Sequence, residues 1–131
     1  MLKIWPCSDL HFRNLQDVDD FMEKVPRYAD VVVIAGDVAN GSKDVVRFMR
    51  HWLQAESMRQ RPVIMVLGNH DYWRDVDMAM SFYAVSKLEG EFPFFHLLHR
   101  RNPVTIEDVT FIGDTLWTDM ELFDDRHTTA N

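Results

Sequence analysis

The sequence predicts an α/β fold with a parallel sheet at its centre, and three observations carry that prediction. Short continuous apolar runs alternate with stretches of helical periodicity in the order β-α-β-α-β-α across residues 1–90. Two of the runs, Val31–Ala35 and Val63–Leu67, are unbroken and largely β-branched, as expected of strands buried on both faces. Each of the first three runs then gives way to a short block of polar, metal-competent side chains, the arrangement that brings ligands to one edge of a parallel sheet.

The elements follow in order. Leu2–Cys7 is a short apolar run stopped by Ser8-Asp9, a first strand. Val18, Phe21, Met22 and Val25 recur at helical spacing, with Asp17, Asp19 and Asp20 in the first turn, where the helix dipole favours negative charge; Pro26 ends the helix. Val31–Ala35 is the second strand. Ser42 is the expected cap of a second helix whose apolar face is Val45, Phe48, Met49, Trp52 and Leu53. Val63–Leu67 is the third strand. Asp75 is the expected cap of a third helix carrying Val76, Ala79, Met80, Tyr83, Ala84 and Leu88, with Gly90 as its stop. Beyond Pro93 the pattern shortens to extended pieces at Phe94–Leu98, Val104–Ile106 and Val109–Ile112, with Glu107-Asp108 as a hairpin turn between the last two.

Composition narrows the function classes. The chain has 131 residues, enough for one domain, 1–131, and no more. Hydrophobic residues make up 47%, so a packed core is expected. Lys+Arg 14 against Asp+Glu 21 leaves a formal charge of −7 without a basic block, which argues against nonspecific phosphate-backbone binding as the main purpose. Nucleic acid therefore enters only among the open substrate classes. Cys7 is the single cysteine, which excludes an internal disulfide, fits a reducing compartment and reads as a small core residue. No apolar run approaches the roughly 18 residues of a membrane span, and no signal peptide is legible, so no membrane partner and a cytoplasmic location are expected.

The polar blocks carry the chemistry. The first strand end supplies Asp9 and His11, the second Asp37, the third Asn69, His70 and Asp71. Residues two apart in an extended segment point to one side, which lets Asp9 and His11 converge. Gly36 and Gly68 allow tight turns beside them. Two carboxylates, an imidazole and an amide oxygen form a mixed oxygen and nitrogen donor set suited to Mn, Fe, Zn or Co. Without a cation, Asp9 and Asp37 brought together would repel.

In order and spacing, Ser8-Asp9-Leu10-His11, Gly36-Asp37-Val38-Ala39-Asn40 and Gly68-Asn69-His70-Asp71 resemble the first three blocks of the calcineurin-like metallophosphoesterases. The stretch from Phe111 to Asp119 resembles a Gly-x-x-Leu-Trp-Thr-Asp segment of a bacterial and phage branch of that family. The resemblance implies a β-sandwich of mixed sheets flanked by helices, four layers α/β/β/α, of which this chain would hold about the first half. It implies hydrolysis of phosphate mono- or diesters by a metal-activated water, with two divalent ions, Mn, Fe or Zn. Asp9 and His11 would ligate the first ion, Asp37 would bridge both, and Asn69 would ligate the second. His70 would donate a proton or contact phosphate, Asp71 would orient its imidazole, and Asn40 would stand close to Asp37.

The departures from the family pattern set further expectations. The later paired-His and Gly-His-x-His segments do not occur, so each ion is left with two or three protein ligands and a catalytically weak metal-binding fragment is the alternative reading. Nothing in the spacing of His51, His96, His99 or His127 argues that they replace the missing ligands. Trp117 reads equally as groove or core, and Asp114 stands where a small residue is expected. Phe94 to Trp117 should begin the second sheet, whose missing neighbours would expose apolar surface and drive self-association. A nucleotide-binding domain is disfavoured, because neither Gly-x-Gly-x-x-Gly nor a P-loop is present.

Overall fold

A computed structural model describes residues 1–116. Four parallel strands, β1 (Ile4–Cys7), β2 (Val31–Ala35), β3 (Val63–Val66) and β4 (Phe95–Leu97), lie in the order β1-β2-β3-β4. Their register aligns Ile4 with Val31, Val32 with Val63, and Val63 with Phe95. The connections carry α1 (Leu15–Met22), α2 (Ser42–Glu56), a 3-10 turn (His70–Tyr72), α3 (Met78–Ser86) and α4 (Leu88–Glu91). An antiparallel hairpin, β5 (Val104–Ile106) and β6 (Val109–Phe111), makes a second, two-stranded sheet.

The alternating pleat sorts the strand side chains between two layers. Val32, Ile34, Val63 and Met65 pack with Val45, Phe48, Met49, Trp52 and Leu53 of α2 in the main core. On the other face, Val31, Ile64 and Leu98 are covered by Val104, Ile106 and Phe111 from the hairpin. Pro6 is tolerated in β1 because that strand is an edge, where a missing N–H costs little. The Cys7 thiol donates to the Val33 carbonyl at 3.5 Å, and burial pushes its pKa up to about 12, which agrees with a packing role.

Several expectations are corrected. Phe95–Leu97 does not begin the second sheet; it extends the first, parallel to β3, because the α3–α4 crossover returns the chain to that edge. Among the described residues, the other sheet is the β5–β6 hairpin, with its turn at Glu107-Asp108. Ser42 is the first residue of α2 rather than its cap; Gly41 holds the cap position, and the Ser42 N–H is taken by Asp75 at 2.9 Å. Asp75 is thus spent on α2, and Asp77 caps α3 by accepting from Ala79 N–H at 2.7 Å. Most of the face expected for the third helix is turned outward: Val76, Ala79, Met80 and Tyr83 are exposed, whereas Leu88 is buried as expected and Ser81 and Val85 are buried in place of the others. The helix is apolar on most sides, so its own pattern does not select a face; the Ser81 hydroxyl bonding Asp75 at 2.6 Å does. Gly90 lies within α4 rather than after a helix.

Candidate metal centre

The C-terminal ends of β1, β2 and β3 meet where the polar blocks begin. One ligand atom from each of Asp9, His11 and Asp37 lies within 4.8 Å of the others, the only such grouping of His, Cys, Asp and Glu among the described residues. Their convergence has a different cause from the one expected. The strand stops at Cys7, and Asp9, His11 and Asp37 all have left-handed backbone, φ 55°, 46° and 57°. Such conformations are uncommon outside glycine and persist only where the surroundings hold them.

Hydrogen bonds supply the hold. Asp9 N–H donates to Gly36 O at 3.1 Å, His11 N–H to Asp37 O at 3.0 Å, and Phe12 N–H to Val38 O at 2.8 Å, so the first loop is laced to the second. The glycines are steric requirements. A Cβ on Gly36, at φ 85°, would lie 2.7 Å from Gly68 N, and one on Gly68 would lie 2.1 Å from Asp37 Oδ1.

Asp71 plays a part that the sequence does not disclose. Its carboxylate is fully buried and accepts from the N–H groups of Gly68, Asp37 and Val38, each at 2.8 Å, and of Ala39 at 3.1 Å. Burial raises its pKa, and these four donors oppose the rise. It therefore clamps the second loop to the third and does not orient His70. The His70 partner is Asn40, whose Oδ1 lies 3.0 Å from Nδ1; with an amide oxygen as acceptor, the ring proton sits on Nδ1. Asn40 thus acts on His70 rather than on Asp37. The His70 ring also stacks on Trp73, with centroids 3.7 Å apart, and meets the edge of His11 at 4.8 Å.

Asn69 is exposed between two neighbours that both approach Asp37: Gly68 on one side, and His70, whose N–H donates to Asp37 Oδ1 at 3.0 Å, on the other. His11 Nε2 stands 3.8 Å from Asp9 Oδ1. Asp37 Oδ2 accepts no hydrogen bond among the described residues. Two carboxylates and an imidazole with oxygen and nitrogen atoms left uncommitted fit a borderline or hard divalent cation. Of the other histidines, His51 bonds Asp19 at 2.7 Å, His99 packs edge-on against Phe82, and His96 lies in β4; none joins the cluster. His127 and Trp117, with the rest of 117–131, lie outside the described residues.

Two residues near the site escaped the sequence reading. The Thr115 hydroxyl donates to Leu67 O at 2.7 Å and lies 3.1 Å from the Tyr72 hydroxyl, which fastens the chain after β6 to the end of β3. Asp114, unexplained in the sequence, accepts from Thr115 N–H at 2.9 Å and so helps fix that hydroxyl. No sequence signal marks the two contacts of the Thr115 hydroxyl, since both depend on a long-range approach.

The comparison with known families agrees with this geometry. The sequence model described as calcineurin-like phosphoesterase matches residues 2–127. No curated protein and no solved structure matches the chain.

Proposed function

Because the chain belongs to the calcineurin-like phosphoesterase family, we propose that it hydrolyses phosphate mono- or diesters with two divalent cations, Mn, Fe or Zn, held at the strand ends. The observation that carries this reading is the meeting of Asp9, His11 and Asp37 on left-handed backbone. Asp9, His11 and Asp37 would hold the cations, with the Asn69 amide oxygen as a further donor. When bound, the cations supply Lewis acidity toward the phosphoryl group and lower the pKa of water at the site.

The remaining steps belong to the chain itself. The imidazolium form of His70 would pass its Nε2 proton to the leaving oxygen and be left neutral, while Nδ1–H stays bonded to Asn40 and Trp73 covers one face of the ring. Asp71 acts at one remove, keeping the Asp37 and Asn69 loops in register. Leaving His70 in place while replacing Asn40 by Ala is expected to lower kcat more than it raises KM.

Incubation with Mn²⁺ and bis(4-nitrophenyl) phosphate or 4-nitrophenyl phosphate tests the proposal. Turnover that disappears with chelator and with Asp37→Asn is the expected result. A second reading, a metal-binding domain with weak or no turnover, is favoured by the cluster itself, which offers three titratable ligands where two ions ask for more. One bound ion per chain by elemental analysis, with no hydrolysis of either ester, would decide for it. The self-association expected from the sequence is a further proposal; Ile112 and Leu116, beside the hairpin, are exposed. Sedimentation velocity at rising concentration tests that.

A further inference from the structure

Residues dispersed in the sequence assemble into a cationic groove along α2. It is lined by Lys43, Arg47, Arg50, His51 and Lys87, with Glu91 the one acidic side chain on its walls. Lys43, Arg47 and Arg50 follow one another at i, i+4 and i+7, a single stripe of the helix. Arg50 is held by Glu91 through bonds of 2.9 and 2.7 Å, and His51 by Asp19. Lys43, Arg47 and Lys87 make no ion pair among the described residues. Arg47 lies over the Phe48 ring and Lys87 over the Tyr83 ring, at 5.5 and 4.6 Å. In a chain with 21 acidic residues against 14 basic ones, three cations without an ion pair in one groove suit an anionic occupant.

One end of the groove adjoins the turn that carries His70: the Gly41 N–H, next to Ser42, donates to His70 O at 2.9 Å. That end is Ser42-Lys43, directly after the loop that carries Asp37 and Asn40. Trp73 lies beside that same turn: its carbonyl oxygen would be 2.5 Å from a Cβ on Gly41. Trp73 stacks on His70 and still leaves 47% of its surface exposed. A half-open indole at the head of a cationic track is the pairing used to hold single strands, where bases stack and phosphates follow the charges. An acidic peptide would satisfy the cations but leave the indole without a planar partner.

We propose that the substrate is a single-stranded nucleic acid whose scissile phosphodiester sits at the Asp9–His11–Asp37 cluster, with a base against Trp73 and the neighbouring phosphates along Lys43, Arg47 and Lys87. The hydrolytic part rests on the phosphoesterase reading; the binding part does not.

The test is fluorescence anisotropy of a labelled oligodeoxythymidine of about ten nucleotides with the full chain in EDTA. Binding is expected, with log K falling against log salt at a slope of about −2, for three phosphate contacts on a single strand. Lys43→Glu, Arg47→Glu and Lys87→Glu together should weaken it by at least about tenfold and flatten the slope. Trp73→Leu should weaken it with the slope unchanged. Circular dichroism of each variant checks that the fold is kept. No binding at low salt overturns the proposal, as does binding indifferent to the charge reversals. Displacement by polyglutamate as readily as by unlabelled oligonucleotide, with Trp73→Leu silent, assigns the groove to an acidic protein segment and overturns it too. Mn²⁺-dependent hydrolysis of bis(4-nitrophenyl) phosphate separates the two levels: turnover without oligonucleotide binding removes this inference alone, and binding without turnover removes the phosphoesterase reading with the hydrolytic part of the inference and leaves the binding part standing.

Discussion

The two edges of the parallel sheet use charge in opposite ways. At the N-terminal edge charges are paired to hold the fold, although Arg61 Nε and Glu56 Oε2 are buried without a hydrogen-bond partner among the described residues. Arg61, 5% exposed, pairs with Glu56 and donates to Pro26 O at 3.0 Å, tying the approach to β3 to the turn before β2. Arg59 donates to the carbonyls of Arg27 and Ala29 beside it, and Asp30 accepts from Lys3 N–H at 2.8 Å. At the C-terminal edge one carboxylate, Asp71, is consumed in the same way, and its neighbours are not. Asp9, His11 and Asp37 stay solvent-accessible, close together and on left-handed backbone. The difference teaches that the number of charges does not mark a site. Charges brought together and left unsatisfied do, on a backbone that the rest of the fold must hold in place.

The largest test sets the two buried charges against each other. Asp71→Ala leaves four N–H donors without an acceptor, and Arg61→Met leaves the Glu56 carboxylate buried alone. Each is expected to cost about 3–5 kcal/mol in urea unfolding. The edges should then part company. Arg61→Met with Glu56→Leu should recover most of the loss, because a well-packed apolar pair replaces a buried ion pair at little cost. No second substitution can rescue Asp71→Ala, since its partners are backbone. If Asp71→Ala costs less than about 1 kcal/mol, the clamp is not what holds the loops.

Ligand removal gives the next effect. With Mn²⁺ at a hundredfold excess over its Kd, the wild-type chain should gain about 2.7 kcal/mol, read as a rise in the thermal midpoint that chelator reverses. Asp9→Asn should abolish that rise while leaving the metal-free midpoint within about 0.5 kcal/mol or improving it, because a repelling carboxylate is removed. A metal-free midpoint that falls sharply would make Asp9 a structural residue like those at the opposite edge.

A smaller effect comes from the backbone contact under the cluster. Gly68→Ala should destabilise by about 1–3 kcal/mol and weaken cation binding, since its Cβ would displace Asp37 Oδ1. Gly90→Ala is the control: nothing lies within 4 Å of a Cβ there, the residue is helical, and a gain of about 0.5–1 kcal/mol is expected.

The smallest effect lies between the two edges. Burial lowers the pKa of His96 in β4 below its ordinary value near 6.5, with Glu89 opposing. A histidine depressed in the folded state binds its proton more readily when unfolded. Its contribution is therefore present above pH 6.5 and lost as the pH falls through the lower folded value. Thermal melts from pH 7.5 down to 5.5 should show the decline, and His96→Gln should flatten it.

How much of this was legible in the sequence depended on whether a residue's role was local. The strands, the polar blocks after them and the need for Gly36 and Gly68 all follow from short-range pattern and were readable. The sequence assigns Asp71 to His70 and Asp75 to the start of the third helix, because their partners Asp37–Ala39 and Ser42 lie more than thirty residues away and leave no local signal. The face of α3 was misread because Met78–Ser86 has apolar groups nearly all round, so tertiary contacts decide which side is buried. Phe95–Leu97 was assigned to the wrong sheet because three residues carry no information about which edge will receive them. The convergence of Asp9 and His11 was expected, but on an extended-strand argument that left-handed φ values replace.

Those left-handed residues also bear on how fast and how tightly an ion can be captured. The turns that aim Asp9, His11 and Asp37 at one another are already made and pinned by main-chain bonds to Gly36, Asp37 and Val38. An arriving cation therefore finds donors that need little further ordering, and most of the entropy of assembling the coordination shell has been given up during folding. The same economy limits substitution: valine or isoleucine at any of the three positions would lose the donor atom and resist the backbone shape at once.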